Sequence, residues 1–178
     1  HRDVTTQIAF LRAVNLGKRR VSMAAAVAVL ERLGLTDVWS YINSGNLVFE
    51  GSGPRAGLES TIGAALEDEF GFEITTFVRT AAEVRKILAL EPFTVTEGDT
   101  YFVTFLQVAP GAKAASELEA CSNDFDTLLV RGRDVHWLMH GLSSATTVSQ
   151  KKWRVVGDLS TSRNTTMLRK LIAKIDDR

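Results

Sequence analysis

Tyr41-Ile42-Asn43-Ser44-Gly45-Asn46-Leu47-Val48-Phe49 sets a polar turn between two apolar runs, and its reading organises the rest of the 178-residue chain. Val38 to Ile42 and Leu47 to Phe49 carry the β-branched and aromatic residues that suit a pleated surface. Asn43, Ser44, Gly45 and Asn46 supply turn chemistry: a position for φ > 0 and side chains that bond their own backbone. The stretch therefore predicts a β-hairpin.

Working outward, Gln7 to Val14 reads as a first strand. Val21 to Leu33 reads as a helix capped by Ser22 and closed by Gly34, with Met23, Val27 and Leu30 on one face. After the hairpin, Leu58, Ile62, Ala65, Leu66 and Phe70 mark a second helix closed by Gly71, and Phe72 to Arg79 a strand. The order strand, helix, strand, strand, helix, strand is that of the split βαβ, or ferredoxin-like, unit, with helices on one face of an antiparallel sheet. Thr80 and Glu83 form a capping box for a third helix ending near Leu90, with Pro92 just beyond.

A second cycle follows. Tyr101 to Val108 reads as strand, Ala112 to Ala120 as helix, and Phe125 to Val130 with Asp134 to Met139 as a hairpin around Arg131-Gly132-Arg133. Phe10-Leu11-Arg12 lines up with Phe105-Leu106-Gln107, and the Gly45 turn with the Gly132 turn, which predicts a degenerate internal duplication. Ser143 to Trp153 reads as helical, and Met167 to Ile175 as a closing helix. The fold class is α+β: a ferredoxin-like subdomain over 1–80, a helix and connector over 81–99, and a second ferredoxin-like subdomain with C-terminal helices over 100–178.

Composition bounds the function. With 21 basic and 21 acidic residues the formal net charge is zero, so no global field draws the chain to nucleic acid or an anionic membrane. A single cysteine, Cys121, excludes an internal disulfide and fits a reducing compartment, so a cytoplasmic location is expected. No apolar run reaches the roughly 18 residues of a membrane span. Charge is segregated locally: Arg12, Lys18, Arg19 and Arg20 cluster early, and Lys151, Lys152, Arg154, Arg163, Arg169, Lys170 and Lys174 late.

Three segments together resemble the signatures of the DUF1697 family, small bacterial proteins of unknown function. They are Phe10-Leu11-Arg12-Ala13-Val14-Asn15-Leu16-Gly17 followed by Met23, the Tyr41 to Phe49 stretch, and Thr161-Ser162-Arg163-Asn164. The resemblance implies an α+β fold of ferredoxin-like subdomains and brings no established activity, cofactor or catalytic residue. Two departures are visible: Ala13 stands where the family usually has Gly, and Thr165-Thr166-Met167 where it has a Trp-Asn-Thr run.

Several residues are candidates for a site. Arg12 presents a planar fork of donors suited to carboxylate or phosphate, or else is a strand residue held by a partner. Asn15 and Gly17 follow at the strand's end, where backbone N–H groups and Lys18, Arg19 and Arg20 precede the helix. Asn43, Ser44, Gly45 and Asn46 are turn residues first and ligand contacts second. Arg163 and Asn164 are placed at a helix start, where orphan N–H groups and a guanidinium make an anion site or simply a capped helix.

Other chemistry is poorly provided for. Ser44 lacks a neighbouring base and a Gly-x-Ser-x-Gly frame. His136 and His140 lack further ligands for a metal. Cys121 lacks a His or basic neighbour. Glu67, Asp68 and Glu69 diverge around one helix. No cofactor and no metal are expected.

The expectation is a binding module for an anionic ligand, whether nucleotide, phosphorylated metabolite or RNA segment. It would use the Arg12 to Arg20 segment, the Asn43 to Asn46 turn and the Thr161 to Asn164 helix start. RNA is disfavoured by the zero net charge and by Ile8-Ala9-Phe10-Leu11, which lacks the aromatic and basic pattern of an RNA-stacking strand. An enzyme on a small phosphorylated substrate is the second class, without an evident base, and a structural or partner-binding protein the third.

Overall fold

The structure, a computed structural model, describes residues 5–12, 20–42 and 45–178. Its elements run β1 (Thr5–Leu11), α1 (Met23–Arg32), β2 (Thr36–Ser40), β3 (Asn46–Gly51), α2 (Arg55–Phe70), β4 (Thr76–Thr80), α3 (Ala81–Leu90) and β5 (Thr100–Phe105). They continue with α4 (Ala112–Glu119), β6 (Asp126–Arg131), β7 (Asp134–Met139), α5 (Gln150–Trp153), β8 (Thr161–Asn164) and α6 (Thr165–Asp176). Two compact units result, His1–Arg85 and Lys86–Arg178, with the division falling inside α3. Each holds one four-stranded antiparallel sheet, ordered β2-β3-β1-β4 and β6-β7-β5-β8. Both are the ferredoxin-like order, so the expected fold class holds.

In the first unit Ala9, Leu11, Leu47, Phe49 and Val78 share one sheet face by strand parity. They pack with Ala26 and Leu30 of α1 and Ile62 and Leu66 of α2. The residues of opposite parity, Ile8, Phe10, Val48, Phe77 and Arg79, are buried as well. Burial on both faces explains why β1 reads as an unbroken apolar run rather than an alternation. The Ser22 Oγ accepts the Ala25 N–H at 3.2 Å as the N-cap of α1. Gly71, at φ +81°, donates its N–H to the Glu67 carbonyl and closes α2 in the left-handed conformation that glycine adopts without cost.

In the second unit Leu118 of α4 packs with Leu106, Leu128, Val135, Trp137 and Met139 of the sheet and with Val148, Trp153 and Val156. The Trp137 and Trp153 rings meet edge to face at 5.0 Å. The Gly132 backbone, at φ +60°, sits at the first central position of the β6–β7 hairpin, where a type II′ turn takes glycine.

The structure departs from the sequence reading in four places. Ser143 to Trp153 is not one helix: residues 143–145 make a single 3₁₀ turn, Thr146 is extended, residues 146–149 carry no regular structure, and only Gln150–Trp153 is α-helical. The reason is Asp126, whose Oδ1 accepts the Thr146 hydroxyl at 2.7 Å and pins the segment to β6. Thr161 to Asn164 is not a helix start but strand β8, with only Asn164 doubling as a cap. Its alternation, Thr161 and Arg163 in and Ser162 and Asn164 out, is hidden because all four residues are polar. The strands expected to begin at Phe72 and to end at Val108 begin at Thr76 and end at Phe105. Val14, expected in β1, lies outside the described residues.

The duplication is visible in the register. Leu11 donates its N–H to the Gly45 carbonyl at 2.8 Å and Leu106 to the Arg133 carbonyl at 2.9 Å. Phe10 faces Asn46, and Phe105 faces Asp134. Phe10-Leu11-Arg12 and Phe105-Leu106-Gln107 are therefore equivalent, as the sequence match indicates. The turns are offset by one: Gly45 corresponds to Arg133, because residues 41–45 join the first hairpin where only 132–133 join the second.

Candidate functional site

The first candidate region lies at one end of the first unit's sheet. β1 ends with the Leu11 N–H on the Gly45 carbonyl, and the Arg12 N–H then bonds the Thr75 carbonyl at 3.0 Å, just before β4. The Arg12 backbone is thus flanked by the β2–β3 turn on one side and the entry to β4 on the other. The side chain is half-buried. The structure brings Arg12 and Gly45 together; Asn15, Gly17, Asn43 and Ser44 lie outside the described residues.

The turn is clipped shut by Asn46. This residue is fully buried, and its Nδ2 donates to the Tyr41 carbonyl at 3.0 Å while the Tyr41 N–H returns to the Asn46 carbonyl at 3.0 Å. Asn46 therefore braces the loop from beneath. Inside the clip, Gly45 has φ +84° and Ile42 φ +50°. A β-branched residue in the left-handed region is strained by about 1–2 kcal/mol. Ile42 also leaves half its surface in solvent, 52%, so its burial offsets only part of that cost.

In the second unit Arg163 is buried, and its Nη1 donates to the Thr161 hydroxyl at 2.6 Å and the Ser162 carbonyl at 3.0 Å. Burial pushes its guanidinium down to about 10, which leaves it a cation at neutral pH. Asn164 is exposed, and its Oδ1 accepts the Thr166 N–H at 2.8 Å as the N-cap of α6.

Sequence reasoning did not single out Arg79, the counterpart of Arg163. Arg79 faces Ile8 on β1, and Arg163 faces Val103 on β5, which is the matching position of the duplicated sheet. The match extends through the following helices: Arg79-Thr80-Ala81-Ala82-Glu83-Val84-Arg85-Lys86-Ile87-Leu88-Ala89 against Arg163-Asn164-Thr165-Thr166-Met167-Leu168-Arg169-Lys170-Leu171-Ile172-Ala173. Each repeat is thus a βαββαβ unit with a seventh element, α3 or α6, appended. The signal was present in the sequence but out of step with the β1–β5 match, because α2 spans 16 residues and α5 only 4.

Arg79 is fully buried, donates Nη1 to the Val78 carbonyl at 2.9 Å, and lies 3.9 Å from Glu59 Oε2. Glu59 reaches from α2 to accept the Val78 N–H at 2.9 Å, and its Oε1 meets Arg55 Nη1 at 2.8 Å. Burial raises the Glu59 carboxyl above its ordinary range, against the opposing pull of the Val78 N–H, Arg55 and Arg79.

Two further polar clusters stand in the second unit. The buried Tyr101 hydroxyl and His136 Nδ1 are 2.6 Å apart. Burial drives the His136 imidazole down to about 4, helped by the charge of Arg131, and the Tyr101 phenol up to about 12. The pair is therefore neutral at physiological pH. At the surface His140 Nδ1 meets Asp99 Oδ1 at 3.0 Å, and this contact, with the Thr96 N–H, holds the Asp99 carboxyl below its usual range. Among the described residues no group of three or more His, Cys, Asp or Glu is placed to hold a metal ion, and no helix is long and apolar enough to cross a membrane.

Comparison with known proteins agrees with this architecture. A conserved bacterial protein, SP0830 from Streptococcus pneumoniae, has a similar structure, with a TM-score of 0.75 and 18% identity over 97% of this chain and 99% of that one. At that identity the likeness speaks to the fold. No curated protein matches the sequence. The model of DUF1697, described as a protein of unknown function, matches residues 4–136, well over half of the chain, and the chain therefore belongs to the DUF1697 family.

Proposed function

We propose that the protein is a binding module for an anionic ligand, of the nucleotide, phosphorylated-metabolite or RNA class, seated where β1 ends against the β2–β3 turn. The residues assigned to it are Arg12, Asn15, Gly17, Asn43, Ser44 and Gly45, with Asn46 as the brace beneath. The observation that supports this reading is the convergence of Arg12 and the Gly45 turn through the Leu11 N–H to Gly45 carbonyl bond. The left-handed Ile42 in the same turn points the same way, since backbone strain of that kind persists where surrounding structure imposes it and gathers at ligand sites. Arg163 and Asn164 belong to the other unit.

A thermal-shift screen of nucleotides, inorganic phosphates and short RNAs tests the reading. A ligand at about 100 times its Kd should stabilise the protein by about 2.7 kcal/mol. Arg12→Ala and Asn43→Ala should each remove that shift. An RNA ligand would further show a steep fall in affinity with salt. A screen in which nothing moves the midpoint, or in which both variants respond as the parent does, sinks the proposal.

A further inference from the structure

The two edge strands β4 and β8 are equivalent, yet they are finished differently. Because the Leu11 and Leu106 amides point toward β3 and β7, alternate residues of β1 and β5 bond β4 and β8. In that pattern Val78 and Thr80 of β4, and Ser162 and Asn164 of β8, turn their backbone N–H groups outward from the sheet edge. In the first unit the Val78 and Thr80 amides are taken by carboxylates of the chain itself. Val78 N–H bonds Glu59 Oε2 at 2.9 Å, and Thr80 N–H bonds Glu83 Oε1 at 2.8 Å.

The second unit has lost both carboxylates. The helix that carries Glu59 is replaced by the four-residue α5, and Met167 stands where Glu83 would be. Among the described residues no acceptor meets the Ser162 or the Asn164 N–H, whereas the Ser162 carbonyl between them is occupied by Arg163 Nη1 at 3.0 Å. An added β-strand needs that carbonyl as well as the amides. What remains is a pair of donors two residues apart, roughly 7 Å along the strand, beside a guanidinium and at an edge where Asn164 is exposed.

We infer that the outer edge of β8 binds a short dicarboxylate, its two carboxylates taking on Ser162 and Asn164 the places that Glu59 and Glu83 take on Val78 and Thr80. The Arg163 Nη1 stands on the Ser162 carbonyl between the two donors. The inference concerns β8 alone and does not depend on the β1-end site.

Glutarate and succinate are the probes, with acetate, sodium chloride and an acidic hexapeptide as comparisons, read on the Ser162 and Asn164 amide resonances of the full chain. Glutarate or succinate should move both amide protons downfield with saturation, at least about tenfold tighter than acetate. Met167→Glu rebuilds the carboxylate of the first repeat; it should weaken dicarboxylate binding at least about tenfold and raise the thermal midpoint. Ser162→Pro deletes one outward donor at an edge position where proline is tolerated, and should also abolish saturation.

Shifts that grow linearly and equally with acetate or chloride overturn the inference. So does unchanged dicarboxylate affinity in Met167→Glu, or in a Ser162→Pro variant whose circular dichroism matches the parent. Saturation by the acidic peptide alone replaces the small diacid with a polypeptide ligand and overturns it too.

Discussion

Arg79 and Arg163 occupy the same position of the two repeats: each faces the middle of the repeat's first strand, and each donates Nη1 to the carbonyl of the residue before it. Each arginine occupies a carbonyl of its own edge strand. In the first unit the arrangement is completed by Glu59, so the edge carries a buried cation, a buried carboxylate and two occupied backbone groups.

Arg79→Met should therefore destabilise the protein by about 3–5 kcal/mol, since it leaves a buried carboxylate less compensated. Glu59→Leu alone should cost a similar order, and the double variant clearly less than the sum of the two. Urea unfolding of the four proteins measures the coupling, which should exceed about 0.5 kcal/mol. Strict additivity would show that the Arg79–Glu59 contact at 3.9 Å is energetically idle.

Asn46 makes the clip of the β2–β3 turn, and its amide is fully buried. Asn46→Ala should cost about 1–3 kcal/mol by leaving the Tyr41 carbonyl without that donor. Asn46→Asp should cost more, because a carboxylate cannot donate to a carbonyl and would be buried as a charge. Chemical denaturation resolves both.

Ile42→Asn should stabilise by about 0.5–1 kcal/mol, because asparagine tolerates the left-handed backbone that a β-branched residue resists. Little burial is lost, since Ile42 is half exposed. A simultaneous loss of ligand shift in the screen would mark the strain as functional rather than incidental.

His136 gives stability a pH dependence. Its folded-state pKa is depressed from 6.5 to about 4, so between those values the unfolded chain takes up a proton that the folded chain refuses. Stability is highest above pH 6.5 and falls as pH drops toward 4, by up to about 3 kcal/mol from this residue. The slope of unfolding free energy against pH over that window should flatten in His136→Gln. An unchanged slope would mean that the imidazole takes up its proton equally in the folded and the unfolded chain.

Much of the architecture was legible because local rules and tertiary packing agree. Ser22, Gly71 and the Thr80–Glu83 pair set helix ends by capping chemistry that needs only neighbouring residues. The candidate site was legible only in part. Asn46 looked like a ligand residue because polar turn residues look alike in sequence, whereas its buried amide serves the turn. Ser143 to Trp153 misled for the opposite reason, since Asp126 lies outside that segment and overrides its helical period.

The sequence by itself determined the ferredoxin-like order of elements, the helix caps and the equivalence of Phe10-Leu11-Arg12 with Phe105-Leu106-Gln107, because periodicity and capping act within a few residues. Only the tertiary structure decided that Thr161 to Asn164 is a strand, that Arg79 and Arg163 share one register, and that the outward amides of Val78 and Thr80 meet carboxylates while, among the described residues, those of Ser162 and Asn164 do not. Which way a backbone N–H points at a sheet edge is set by pairing with a distant strand, and nothing in the residues of that edge alone records it.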